Sequence, residues 1–322
     1  MARSLHRRQL LGTLGAIAAS LSCRRESSSS SSASKNESVA PARLETPVET
    51  SRAAPKVAPR SSIRVVDWQF ANEGGWDKRC TVILPDPLPK DAKLPLLIAL
   101  HGMGETVDPI TGANGWLRAY ELDVAIDAVT NPPLDTDAFR GLVTSEHLTE
   151  VNASLQKRPY GGLVICCPYL PRAIGGELPH EEYARFLGAS VIPRLRDEMP
   201  ILGTVRSTGI DGVSLGGATA LTIGLMREDL FGAVGALQPA LYDGALDAFV
   251  DTVEKKLSGR PLRVTTSEED VYRDVLVALD AKLAYRGIAH DFAVRPGPHD
   301  YIWNKGPGAI EMLLWHDRVL RG

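Results

Sequence analysis

The sequence has no excess of charge of either sign, few cysteines and no apolar run long enough to cross a membrane. Its 322 residues carry 36 Lys and Arg against 39 Asp and Glu, for a formal net charge of −3. This balance offers no polybasic surface for nucleic acid and no acidic tail. The sequence also lacks an HExxH pair, zinc-type cysteine spacing and a GxGxxG fingerprint. We therefore predict no metal, no cofactor and no nucleic-acid partner.

The first 23 residues have the layout of an export signal. Basic residues precede a mostly apolar run from Leu10 to Leu21, which is shorter than the roughly 20 residues of a membrane-spanning helix. Arg7-Arg8 with the residues after them resembles a bacterial twin-arginine signal. The sequence SLSC ending at Cys23 resembles a lipoprotein processing site, with Ser20 in place of the usual leucine. We expect export to the periplasm, tethering to the membrane by a lipid on Cys23, or secretion after ordinary signal cleavage.

A Ser- and Pro-rich segment follows, from residue 24 to residue 61. Its small and charged residues bury too little apolar area to offset the entropy of ordering. We predict a flexible tether there, and a folded domain from residue 62 to residue 322.

Three of the four cysteines lie in that domain, namely Cys80, Cys166 and Cys167. An oxidising compartment would permit one disulfide. Cys166 and Cys167 are adjacent, so in a strand they point to opposite faces, and at most one of them easily reaches Cys80. Buried free thiols are the alternative, and we favour it.

From residue 62 onward, strand-like runs alternate with helical ones. IRVVDWQF and RCTVILP predict an antiparallel hairpin, and LPLLIAL and GGLVICCPYL predict strands buried on both faces. The later strands are predicted in TGIDGVS, GAVGALQP, PLRVTTS and AHDFAVRP, with helices between and after them. This order predicts a mostly parallel sheet flanked by helices, with ligands bound at the carboxyl ends of the strands.

Residues 105–160 interrupt this alternation with helical pieces separated by prolines. An insertion of this size beside an active-site loop is usually a cap or lid. We predict a helical insertion that serves as a cap, and the alternative is a surface excursion without a function.

The segment DGVSLGG places Ser214 between a predicted strand and a predicted helix. A nucleophilic serine on such a strained turn needs glycine on either side, because larger side chains would clash. Gly212, Gly216 and Gly217 meet that need. Ser214 is therefore the candidate nucleophile.

A serine hydroxyl needs a base to accept its proton, and the base needs a third group to fix its tautomer. Among seven histidines, His299 follows the last predicted strand in RPGPHDYIW, where it could reach the serine. The orienting acid is expected after PLRVTTS, in the run SEED. Asp270 is our choice because it can also cap the following helix. Glu268 and Glu269 stay open as alternatives, with Asp243 more remote.

A developing oxyanion needs two preorganised N–H donors. The backbone of Leu215, directly after the candidate nucleophile, is one. The loop HGMGET is expected to supply the other, from Met103 or Gly104. His101 in that loop is expected to be a structural hydrogen bonder.

The motifs LIALHGMGE, GIDGVSLGG and RPGPHDYIW resemble those of α/β-hydrolase serine esterases, specifically the esterase-D and enterochelin-esterase-like group. The resemblance covers roughly residues 78 to 320 apart from the insertion. It implies the α/β-hydrolase fold, the order Ser214, Asp270, His299, oxyanion donors at Leu215 and Met103, and a small-molecule ester as substrate. Acyl transfer with the same triad and a non-catalytic binding protein are the alternatives. Oligomeric state is not indicated.

Overall fold

A single twisted sheet organises the chain in the computed structural model, which describes residues 63–71 and 75–321. The described residues form an eight-stranded sheet with the strand order β1-β2-β4-β3-β5-β6-β7-β8. β1 and β2 pair antiparallel, as do β2 and β4, and every other pairing is parallel. The mostly parallel sheet predicted from the alternation is confirmed. The predicted export signal, Cys23 and the tether lie outside the described residues.

The strands fall on the predicted apolar runs. β1 and β2 form the expected hairpin, and the five central strands have almost no exposed residue because helices cover both faces. The bounds are β1 Ile63–Gln69, β2 Arg79–Pro85, β3 Leu96–Leu100, β4 Val164–Pro168, β5 Thr208–Gly212, β6 Ala233–Leu237, β7 Leu262–Glu269 and β8 Asp291–Pro298.

The helices divide between the two faces of the sheet and bury one apolar cluster on each. The cluster on the first face is built with α4, α5, α6, α7 and α8, and the cluster on the second with α2, α3 and α10. The bounds are α1 Pro109–Ala113, α2 Leu122–Thr130, α3 Ser145–Lys157, α4 His180–Phe186, α5 Ile192–Glu198, α6 Leu215–Met226, α7 Leu246–Lys256, α8 Arg273–Tyr285, α9 Tyr301–Trp303 and α10 Ala309–Val319. No helix among the described residues is long and apolar enough to cross a bilayer.

The 105–160 segment is helical and connects β3 to the neighbouring parallel strand β4. Parallel neighbours need a crossover connection, so part of this segment is required by the topology. Its apolar side chains Trp116, Leu122, Phe139 and Leu155 are buried on the second face together with α10. Most of the segment therefore covers the sheet, while its first residues lie beside the candidate site. Its role as a cap stays a prediction.

The helix predicted around Pro193 is divided into α4, a π-helical turn over Leu187–Val191, and α5. Pro193 lacks an N–H and its ring clashes with the carbonyl four residues earlier. A widened turn before the proline relieves both problems, because it removes the helical bond that the proline cannot make. The proline thus ends one helix and begins the next.

Cys80, Cys166 and Cys167 are free and buried. Cys80 and Cys166 belong to the apolar cluster on one face and Cys167 to the cluster on the other, as the strand geometry predicted. Burial raises the pKa of the Cys166 and Cys167 thiols. Both are therefore held as thiols in the core.

Candidate active site

Ser214 lies on the sharp turn between β5 and α6. Its backbone has φ 56° and ψ −115°, a combination that residues other than glycine rarely adopt. Glycine is required on both sides, because an added Cβ at Gly212 would lie 2.5 Å from the backbone of Gly216, and one at Gly216 would lie 2.4 Å from the His101 carbonyl oxygen. The sequence therefore holds Ser214 in a strained conformation at the carboxyl end of the central strand.

The imidazole of His299 bridges Ser214 and Asp270. Its Nε2 lies 3.0 Å from Ser214 Oγ, and its Nδ1 lies 2.8 Å from Asp270 Oδ1. A carboxylate only accepts, so Nδ1–H donates to Asp270 and Nε2 is left to accept the serine proton. His299 reaches this position from the loop after β8, and its side chain is 22% exposed. The three predicted residues are thus brought together from the ends of three strands.

The carboxylate of Asp270 is held by more than the imidazole. Oδ2 accepts from Thr266 Oγ1 at 2.6 Å and Oδ1 accepts from the Tyr272 backbone N–H at 3.0 Å, while the side chain is fully buried. Glu268 and Glu269 are exposed. Asp270 does not occupy the N-cap position of α8, which belongs to Tyr272. Its contacts fix it beside the imidazole and stabilise the turn before the helix.

The two candidate oxyanion donors, Leu215 and Met103, each begin a helical turn. Leu215 is the first residue of α6, and Met103 is the first residue of a short 3₁₀ turn, Met103–Glu105. The first N–H groups of a helix have no partner within it. The Gly102 N–H instead donates to Tyr120 Oη at 2.9 Å. An added Cβ at Gly102 would lie 3.8 Å from Ser214 Cβ, so the loop lies against the serine.

His101 is buried in the same loop and both its nitrogens are occupied. Nδ1 donates to the Gly102 carbonyl oxygen at 2.8 Å, and Nε2 accepts from the Leu170 N–H at 2.9 Å. Burial lowers the pKa of His101, which agrees with a neutral ring. These contacts join the β3 loop to the end of β4, in agreement with the structural role expected for His101.

A buried ionic cluster lies beneath the serine turn, and sequence patterns did not indicate it. Asp211 Oδ2 accepts from Arg263 Nη2 at 2.6 Å and from His316 Nε2 at 2.8 Å. Its other oxygen accepts from the Gly212 N–H at 2.7 Å. Desolvation lowers the pKa of His316, and Arg263 already balances the Asp211 charge. The cluster ties β5, β7 and α10 together directly below Ser214.

Apolar and aromatic side chains are exposed on the loops that follow the parallel strands. Tyr272 packs edge-on against the His299 ring at 5.5 Å between ring centroids, and Tyr242 packs against Tyr272 at 5.8 Å. The exposed members of this rim are Met103, Tyr242, Val271, Tyr301 and Ile302, and Tyr272 is half-buried. Since these loops share the carboxyl edge of the sheet with Ser214, the rim borders the site.

Across residues 63–71 and 75–321, no group of three or more His, Cys, Asp or Glu side chains is placed to hold a metal ion. The absence of a cofactor stays a prediction from the sequence.

The fold and the match to known families define the class of this protein. Residues 172–305 match the family model Esterase, described as "Putative esterase", and this stretch contains Ser214, Asp270 and His299. The strand order is that of the α/β-hydrolase fold, and the match to this family supports a carboxylic ester hydrolase. The resemblance stated from the motifs is confirmed at this level.

Solved structures with the same fold include several esterases. The S-formylglutathione hydrolase FrmB of Staphylococcus aureus is 15% identical with a TM-score of 0.58, over 80% of this chain and 100% of that one. A ferulic acid esterase is 19% identical with a TM-score of 0.62, over 81% and 99%. The enterobactin esterase FES of Shigella flexneri is 17% identical with a TM-score of 0.55, over 81% and 60%. At identities this low, the structural similarity establishes the fold alone. A sequence comparison with curated proteins found no match.

Proposed function

We propose that this esterase works through an acyl intermediate on Ser214, with His299 as general base and Asp270 as the group that orients it. The observation that carries the proposal is the continuous relay of 3.0 Å from Ser214 to His299 and 2.8 Å from His299 to Asp270. Both distances are within the reach needed for proton transfer. A serine in a strained backbone conformation at one end of this relay supports the same assignment.

In the proposed reaction Ser214 Oγ attacks the ester carbonyl carbon while its proton passes to His299 Nε2. The carbonyl oxygen becomes an oxyanion, which the N–H groups of Leu215 and Met103 stabilise. His299 then returns the proton to the leaving alcohol, and the C–O bond of the ester breaks. Water repeats the cycle on the acyl-enzyme, which releases the acid and restores Ser214.

Acyl transfer to an alcohol would use the same groups, but it requires exclusion of water from the acyl-enzyme. The exposed fraction of the His299 side chain favours hydrolysis, since water has access to the base. A binding protein that has lost catalysis is disfavoured by the intact relay. Added methanol distinguishes these functions: a transferase yields methyl ester in place of free acid, and a binding protein yields neither.

The proposal is tested by labelling the purified protein with a fluorophosphonate, which reacts with activated serines. We expect one adduct, located at Ser214 by peptide mass spectrometry, because only an activated hydroxyl displaces fluoride at a useful rate. The variant His299→Ala is the matched comparison, since it keeps the serine and removes its base. Labelling at another serine, or equal labelling of this variant, would contradict the assignment.

The exposed rim around the site suggests which esters to compare. Tyr242, Tyr272 and Met103 offer apolar and aromatic surface, and this favours an ester with an apolar or planar acyl group. The substrate named for one structural neighbour, ferulic acid ester, belongs to that class. A series of p-nitrophenyl esters of increasing acyl length, with methyl ferulate beside it, measures the preference directly.

We also propose that the protein is exported and held at a membrane by a lipid on Cys23. The twin-arginine-like signal and the lipoprotein-like processing sequence support this, and a Ser- and Pro-rich tether after Cys23 would space the esterase domain from the membrane. In a bacterial host supplied with labelled palmitate, we expect label on the wild type and none on Cys23→Ala. If the wild type is unlabelled and appears in the soluble periplasmic fraction, ordinary signal cleavage replaces the lipid anchor.

A further inference from the structure

Glu105 is a buried carboxylate within the candidate oxyanion loop, and it has no part in the relay. Only 2% of its surface is exposed. Its Oε1 accepts from Tyr301 Oη at 2.6 Å, and its Oε2 accepts from Tyr120 Oη. Burying a carboxylate is unfavourable unless strong hydrogen bonds replace water. The two phenols meet that requirement.

Both tyrosines are held as hydrogen-bond donors. The hydrogen bond to Glu105 raises the pKa of Tyr301 to about 12. Burial, and then the nearby Glu105, raises the pKa of Tyr120 well above its ordinary value. The phenols therefore stay protonated across the pH range of the protein, and the arrangement of donors around Glu105 is fixed.

Tyr120 connects this carboxylate to the oxyanion loop. Its oxygen donates to Glu105 and accepts from the Gly102 N–H at 2.9 Å. The Gly102 N–H is thereby unavailable as an oxyanion donor. The next N–H along the chain, that of Met103, begins the short 3₁₀ turn and has no partner within it.

Tyr301 connects the same carboxylate to the loop of the base. It lies two residues after His299 and begins helix α9. Its hydroxyl lies over the oxyanion loop, because an added Cβ at Gly104 would be 2.3 Å from Tyr301 Oη. Although Glu105 is buried, Tyr301 itself is 47% exposed and belongs to the rim of the site.

We infer that Glu105 is a positioning residue that holds the oxyanion loop and the His299 loop in one fixed arrangement through Tyr120 and Tyr301. One carboxylate oxygen accepts from the tyrosine that contacts each loop, so a displacement of either loop breaks a hydrogen bond to a buried acceptor. The consequence is a Met103 N–H aimed at the oxyanion while Nε2 of His299 faces Ser214. This inference rests on the proposed function, because it assigns Glu105 to the same reaction.

The test compares Glu105→Gln and Tyr301→Phe with the wild type on p-nitrophenyl acetate. Both variants keep the side-chain volume while they remove the acceptor charge or one donor. Since small misplacements of reacting groups lower rates by up to about a hundredfold, we expect kcat to fall by about ten- to a hundredfold with KM within about twofold. The inhibition constant of phenylboronic acid, which forms a tetrahedral adduct with serine, should rise by the same factor as kcat/KM falls.

Tyr285→Phe is the matched control, because Tyr285 is 90% exposed and lies at the far end of α8. It should leave kcat, KM and the inhibition constant unchanged. Thermal unfolding of each variant separates the inference from a purely structural role, which would lower the melting temperature while the rate of the folded protein stayed the same. Unchanged kcat in both variants, or a rise in KM that accounts for the whole loss, would overturn the inference.

Failure of the proposed function has a different signature. If the wild type is neither labelled at Ser214 by a fluorophosphonate nor active on p-nitrophenyl acetate, the acyl-serine mechanism falls and the role of Glu105 falls with it. If the wild type is labelled and active but the Glu105 and Tyr301 variants match it, only the positioning role is wrong.

Discussion

Replacing Ser214 by alanine is expected to lower kcat for p-nitrophenyl acetate by at least about a thousandfold, since removal of a triad serine eliminates the acyl intermediate altogether. KM is expected to change little, because the hydroxyl contributes to the reaction more than to ground-state binding. The residual rate should be that of water attack assisted by the oxyanion donors and by binding of the ester. Steady-state kinetics measure the loss, with active sites counted by the fluorophosphonate label for the wild type and by protein concentration for the variant.

Ser154→Ala is the matched control for this variant. Ser154 is exposed on α3, within the segment that covers the second face of the sheet. Loss of the Ser154 hydroxyl should leave turnover unchanged. The variant therefore shows whether expression and purification of a mutant protein alone affect the rate. Turnover by Ser214→Ala within a few-fold of the wild type would remove Ser214 from the reaction and leave the ester hydrolase without its proposed nucleophile.

The sheet and most of the helices follow from the sequence because each is encoded locally. Buried strands such as β3 and β4 are short continuous apolar runs, and their alternation with helical segments predicts parallel pairing. The serine turn is equally local, because Gly212, Ser214 and Gly216 lie within five residues. His299 is located by its place after the last strand, which chain order is enough to define.

What the sequence did not reveal is held by contacts between distant positions. Asp211, Arg263 and His316 form one cluster although 52 residues separate the first two and 105 separate the first and last. Glu105 meets Tyr301 across 196 residues. Neither periodicity nor local spacing predicts contacts between such distant residues. Each of them looks in the sequence like an ordinary polar residue of a strand, helix or loop. The extent to which residues 105–160 pack on the sheet was hidden for the same reason.

The acid of the relay presents an intermediate case, because the run SEED offers three adjacent carboxylates. Strand β7 extends through Glu269, which leaves Glu268 and Glu269 exposed on its end. Asp270 is the first residue after the strand, and the turn directs its side chain inward toward Thr266 and His299. The choice among the three depends on where the strand ends, and sequence patterns locate strand ends poorly.

Replacing Asp270 by asparagine is therefore the sharpest test of the relay. The neutral amide no longer stabilises the imidazolium that forms as Ser214 loses its proton, and it no longer imposes Nδ1–H on the neutral ring. In a comparable triad this change lowers kcat by about ten thousandfold, and we expect a loss of at least about a thousandfold here. Because the asparagine side chain keeps the size of the aspartate and can still accept from Thr266, the melting temperature should change far less than the rate.

The neighbouring carboxylates Glu268 and Glu269 provide matched controls for this variant. Glu268→Gln and Glu269→Gln each remove one negative charge within two residues of Asp270, at exposed positions. Solvent screens such charges, so kcat should stay within about twofold of the wild type in both variants. A thousandfold loss in either glutamine variant, with Asp270→Asn near full activity, would move the acid to that glutamate. Equal and modest losses of kcat in all three variants would mean that the loop acts only through its total negative charge. His299 would then work without a dedicated carboxylate partner.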